Sequence, residues 1–215
     1  MRTRALAWVV ACIAGAVPLR AQLPVTTGVS VSLAEHRVTA GAGLERSSGT
    51  MFGLWATTSL PWQALEARLS LRAGSLGANE SSAFDRDVGE ATVGASLPLS
   101  DWWGLDAGVV VRRYESALAA QRWVWGEVGI HGRRSMLEDA LKLSAGLSII
   151  PWVSVSGISR PDLAVAAHSA VGYTAGRLTA TIRYGLERFD FPARNGVRRL
   201  EELSSLELGV AWKIR

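Results

Sequence analysis

His36, His131 and His168 are the only imidazoles in the chain, and with nearby hydroxyls and carboxylates they are the residues that could support catalysis. A hydrolytic site needs a histidine base within reach of a hydroxyl or water, oriented by a carboxylate. His168 is followed directly by Ser169, but adjacent residues of a strand point to opposite faces, so His168 cannot serve Ser169 as base. His36 stands beside Glu35 in a loop-like stretch, and other such stretches carry Asp85, Asp87, Asp162 and Asp190. A His–Asp pair on a rim built from those loops is the catalytic arrangement on offer. A solvated loop histidine is the plainer reading. No histidine is spaced from another histidine or a carboxylate as metal ligands are. The reading is of no catalytic residue, no metal and no cofactor.

A larger set of charged residues follows a different rule. From Leu65 to Ala73 the chain reads Leu-Glu-Ala-Arg-Leu-Ser-Leu-Arg-Ala, and the same alternation returns over Leu178–Leu186 and Leu206–Ile214. A period of two puts one residue set on each face of a strand. One face collects Val29, Val31, Leu33, Leu65, Leu69, Leu71, Val93, Val109, Val111, Val124, Val128, Leu143, Leu147, Val165, Val171, Ile182 and Leu208, with no charge among them. The other collects Glu66, Arg68, Arg72, Glu90, Asp106, Arg112, Glu127, Lys142, Arg183 and Glu207, with Lys213 and the glycines Gly28, Gly94, Gly108, Gly129, Gly146 and Gly209. Charges of both signs among glycines suit a narrow polar lumen filled by paired side chains. An ion-selective ring would show one sign. A narrow pore for small ions or solutes is the alternative.

Ten strands carry these faces: approximately Val25–Ala34, Thr50–Leu60, Leu65–Leu76, Val88–Leu97, Trp103–Tyr114, Arg122–Arg133, Leu141–Ile150, Asp162–Tyr173, Arg177–Glu187 and Leu203–Ile214. Eight would remain if two Gly-rich or Ala-rich segments were loops. Short connections at Pro61–Ala64, Pro98–Trp102, Arg134–Ala140 and Thr174–Gly176 alternate with long ones. The long ones are Glu35–Gly49, Gly77–Asp87, Glu115–Gln121, Pro151–Pro161 and Arg188–Glu202. Ser135-Met-Leu-Glu138 matches a capping box and predicts one helical coil in its turn. The aromatics sort by depth. Trp62, Trp102, Trp103, Tyr173 and Trp212 fall at the short-turn end, and Phe52, Tyr114, Trp123, Trp152 and Phe189 toward the long-loop end. Two such rings are expected where a barrel meets both membrane interfaces.

The start of the chain supplies the compartment. Met1–Arg4 is basic, Ala5–Val17 is an apolar run, Pro18 breaks it, and Ala21 offers a small residue before Gln22. This is the layout of a secretory signal peptide over residues 1–21, leaving one domain over 22–215. The run is shorter than the roughly 20 residues of a spanning helix. Cleavage removes Cys12, the only cysteine, so the mature chain has no thiol, disulfide or cysteine-metal chemistry. The 23 Lys and Arg exceed the 19 Asp and Glu by four. Arg2, Arg4 and Arg20 account for three of those four, so the mature chain carries only +1. With no basic block or aromatic-studded basic stripe, nucleic acid is not an expected partner.

Across residues 22–215 the chain resembles the small outer-membrane β-barrel proteins of Gram-negative-type bacteria, on its signal peptide, alternating strands, unequal loops and aromatic rings. The resemblance implies an all-β, transmembrane, up-and-down antiparallel barrel, lodged as a monomer in outer-membrane lipid after handling by the barrel-assembly machinery. Such chains usually end in an aromatic residue, whereas this one ends Trp212-Lys213-Ile214-Arg215. Related architectures include lipid-A-modifying enzymes and surface proteases, whose catalytic clusters converge histidine with serine or aspartate. The expectation here is a structural or surface-facing role, with a rim lipase or protease and a soluble exported β-protein as further alternatives.

Overall fold

The computed structural model describes residues 23–60, 65–79 and 83–214. Ten strands follow one another in chain order: β1 Val25–Ala40, β2 Gly43–Leu60, β3 Leu65–Ala78, β4 Arg86–Pro98, β5 Trp103–Ser116, β6 Ala120–Met136, β7 Leu141–Val155, β8 Leu163–Ala175, β9 Leu178–Arg194 and β10 Val197–Lys213. Each pairs antiparallel with its sequence neighbours, and β1 pairs with β10 to close the barrel. Closure leaves no free sheet edge, which is what lets strands cross a bilayer. The ten-stranded barrel expected from the alternation is present. The expected signal segment, Trp62 and Arg215 lie outside the described residues.

Alternation sorts the side chains as the two-residue period requires. Val29, Leu33, Val93, Leu147, Ile182 and Leu208 are exposed on the outer wall, and partners on the same face repeat around the barrel. An apolar outer wall costs nothing in lipid, so these residues stand where a water-soluble sheet would carry polar ones. The strands run 13 to 18 residues, against the roughly 9–11 that a tilted strand needs to cross the hydrocarbon. The surplus lies at the long-loop end.

That surplus corrects the loop assignment. Glu35–Gly49 is not a loop. β1 and β2 continue through it in register to a two-residue turn at Gly41 and Ala42. Arg188–Glu202 is likewise strand up to Asn195-Gly196, whose positive φ angles of 52° and 78° make the two-residue hairpin turn that Asn-Gly favours. Glu115–Gln121 shrinks to the link between Ser116 and Ala120. Beyond the apolar band the outward face turns polar, with Glu35, Arg37 and Arg188, so the outward hydrophobic signal stops before the strand does. Pro151 also lies within a strand. Register shifts between Gly126/Val128 on β6 and Trp152/Ile149 on β7, a bulge that takes a residue without an N–H. Past Ile149↔Val165 the β7–β8 pairing ends, although β7 continues to Val155 on β6.

The capping-box expectation also fails. Leu137, Glu138 and Asp139 take φ of 53°, 55° and 68°, and the Ala140 N–H donates to the Leu137 carbonyl at 3.0 Å. The turn is left-handed, not helical, because it must reverse β6 onto β7 within four residues.

Candidate functional site

The interior is built in three layers. At the long-loop end, inward residues of all ten strands bury one apolar cluster that includes Met51, Leu76, Tyr114, Trp123, Trp125, Ile150, Phe189, Phe191 and Leu203. Its centre is aromatic: Trp123 meets Phe189 edge-on at 5.1 Å and Phe191 at 6.0 Å, and Trp125 meets Phe189 at 5.6 Å. Trp123 is 1% exposed. Three residues expected on the outer aromatic ring, Tyr114, Trp123 and Phe189, are therefore not on it. Their strands run past the membrane with unbroken parity, and that parity turns them inward. Phe52 and Trp152 do face outward, as do Trp102, Tyr173 and Trp212 at the short-turn end. Trp103 is half-buried there.

Against the aromatic layer sits a closed ionic cluster. Arg112, 1% exposed, donates through Nε to Glu90 Oε2 at 2.7 Å and through Nη2 to Glu187 Oε1 at 2.9 Å. Arg72 Nε donates to the other Glu90 oxygen at 2.9 Å. Two guanidiniums thus share two carboxylates, and Arg112 also stacks 4.8 Å from the Trp125 ring. A buried charge is tolerable only when paired and hydrogen-bonded, and this arrangement meets both conditions.

His36 lies above, within β1 and not in a loop. It is 3% exposed and stacks on Tyr114 at 5.0 Å with the rings 16° apart. Arg86 Nη1 donates to its Nδ1 at 3.0 Å, which leaves Nε2–H to donate to Glu201 Oε2 at 3.2 Å. Both ring nitrogens are committed. Glu201 also accepts from Arg199 Nε at 2.8 Å, and Arg86 reaches Glu45 at 3.1 Å. The carboxylates expected near His36 are engaged elsewhere. Asp85 accepts the Ala78 N–H at 2.9 Å, Asp87 accepts from Ser75 at 2.6 Å, and Asp190 accepts from Arg198 at 2.9 and 2.6 Å. Glu35 pairs with Arg37 and Arg46. Asp162 stands just before β8, with its backbone N–H donating to the Asp190 carbonyl at 2.8 Å.

Below the ionic cluster the lumen opens into a cavity of about 420 Å³. Eight of the ten expected lumen charges line it: Glu66, Arg68, Arg72, Glu90, Asp106, Glu127, Arg183 and Glu207. Arg112 lies behind its wall. Lys142, inward by parity, is exposed at the short-turn rim. Val110 and Leu203 belong both to the cavity wall and to the apolar cluster, so the cluster is its roof. Glu66 and Arg133, whose side chains are 49% and 41% exposed and 3.9 Å apart, mark the mouth at the short-turn end.

Glycines seat the larger interior groups. A Cβ on Gly28 would lie 2.4 Å from the Trp55 ring, and one on Gly146 would lie 2.4 Å from His168. One on Gly104 would lie 2.6 Å from His131. His131 Nδ1 is 3.0 Å from Asp106 Oδ1, out of line for a hydrogen bond. His168 lines the cavity while Ser169 is exposed on the other face, so the two are separated by the wall. Sequence reasoning missed Glu187, Glu201, Trp55 and Trp125. The first two share inward parity with Arg183 and Glu207 and are found once the alternation is continued past the apolar band.

No protein-family model matches the chain, and no curated protein matches it. Solved structures do. The outer membrane protease OmpT from Escherichia coli superposes with a TM-score of 0.63 at 11% identity, covering 89% of this chain and 97% of that one. An outer membrane channel from Pseudomonas putida F1 superposes at 0.54 and 12% identity, covering 93% and 97%. The fold is that of the outer-membrane β-barrels.

Proposed function

We propose that the protein is a monomeric outer-membrane barrel with a lumen blocked at its outer end, serving a structural or surface-facing role without catalysis. Short turns of such barrels face the periplasm, so the aromatic roof would lie on the cell-surface side and the cavity mouth on the periplasmic side. The observation that carries the reading is the roof itself, Trp123, Trp125, Phe189 and Phe191 packed on the fully paired Arg112 cluster. A conduit needs a continuous polar path, and a buried aromatic layer across the lumen favours closure over one. The non-catalytic part rests on His36, buried with both nitrogens engaged. Partners on this reading are outer-membrane lipid along the apolar wall, the assembly machinery during biogenesis, and surface ligands at the protruding hairpins.

The test is fractionation followed by gel mobility with and without boiling. A band in the outer-membrane fraction that shifts on boiling is the expected result. An unshifted band in the soluble fraction would overturn the reading.

A further inference from the structure

The cavity holds charges that the paired networks do not use. Glu90 and Glu187 are committed to Arg72 and Arg112, Glu207 lies 4.0 Å from Arg72, Asp106 lies against His131, and Glu66 lies near Arg133 at the mouth. Arg68 and Arg183 line the same cavity, and neither has a carboxylate oxygen within 4.0 Å among the described residues. Glu127 is the one lining carboxylate likewise without an ion-pair partner among the described residues. Arg68 and Arg183 are therefore the lining guanidiniums left without a carboxylate at ion-pair distance among the described residues, and they share the cavity with the carboxylates of Glu127 and Asp106.

Arg68 is also held in place. Its guanidinium carbon lies 5.8 Å from the centroid of Trp55, whose ring occupies the space left by Gly28. Ser70 follows Arg68 on the same face, and Ser205 stands across the β9–β10 pair from Gly185, two residues on from Arg183. Hydroxyls beside preset guanidiniums are what an oxyanion requires, since fork-shaped N–H donors and O–H donors together satisfy its oxygens. The volume suits more than a lone ion. About 420 Å³ falls in the range of small-molecule sites, roughly 300–1,000 Å³.

We propose that this cavity is a binding site for a small solute bearing an oxyanion, such as a phosphate or phosphate ester, entering at the short-turn end and held by Arg68 and Arg183. Calorimetric titration of the detergent-folded full barrel at low ionic strength tests it, with inorganic phosphate and glycerol phosphate as probes. Saturable binding is expected in wild type, weakened about tenfold or more by R68Q and by R183Q. E127Q removes the competing negative charge and should bind several-fold more tightly, a gain that mere loss of structure would not produce. R188Q, on the outer wall, should leave binding unchanged. Heat-shifted gel mobility verifies that each variant is folded. Tighter binding of glycerol phosphate than of phosphate assigns the site to an organic solute, and equal binding to the free ion. Absence of saturable heat in wild type overturns the proposal, as does unaltered affinity in R68Q and R183Q. Because the cavity's charges do not depend on the roof, this outcome is separable from the gel test of the closed barrel.

Discussion

Glu90 is the residue on which the interior turns, because among the described residues it alone accepts from both Arg72 and Arg112. Glu90→Gln keeps the shape but leaves two buried guanidiniums to share Glu187 and a distant Glu207. Breaking one partner of a buried ion pair costs about 3–5 kcal/mol, so the urea midpoint for unfolding from micelles should fall by a corresponding amount. An unchanged midpoint would mean that the cluster is hydrated and contributes little. His36 makes a gentler case. His36→Phe preserves the stack on Tyr114 but strips the bonds to Arg86 and Glu201, leaving buried polar groups without partners. The expected loss is about 1–3 kcal/mol by the same urea titration. No change is expected in any lipase or protease activity assayed alongside, and loss of such an activity would restore the rim-enzyme reading.

Among the elements, the strand cores were legible and their outer ends were not. Where lipid lies on one side, apolar and polar residues alternate cleanly, and Leu65–Ala73 is readable as a strand from sequence alone. Past Leu33 on β1 or Leu186 on β9 the outer face meets water, so Glu35, Arg37 and Arg188 take over and the signal resembles a loop. The inward parity nonetheless persists, which is why Tyr114, Trp123 and Phe189 end inside the barrel and not on an interfacial ring. Leu147, outward on β7, lies within the apolar band, and Leu147→Arg should cost about 2–4 kcal/mol in bilayer refolding. A neutral result would place that wall in water. Leu137 holds a left-handed conformation that only glycine adopts freely, so Leu137→Gly should raise stability by about 1 kcal/mol. A lower unfolding midpoint would show that its side chain matters to the turn.

For the whole molecule, the barrel's closure and its interior layering have separate origins. Closure follows from ten antiparallel strands joined β1 to β10, and the repeated alternation announces that much. The layering depends on which inward side chains meet across the lumen, which a sequence without register cannot show. Arg112 and Glu90 were both legible as inward charges. That Arg112 also bridges to Glu187 beneath Trp125, in a strand four steps along the chain, emerges only from the fold. The most direct measurement of the resulting block is single-channel recording of the purified barrel in planar bilayers, beside a W123A/W125A variant that opens the roof. The layered interior predicts no conductance steps from wild type and distinct steps from the variant. Steps of equal size from both would contradict it, because the aromatic layer would then not be what stands in the path.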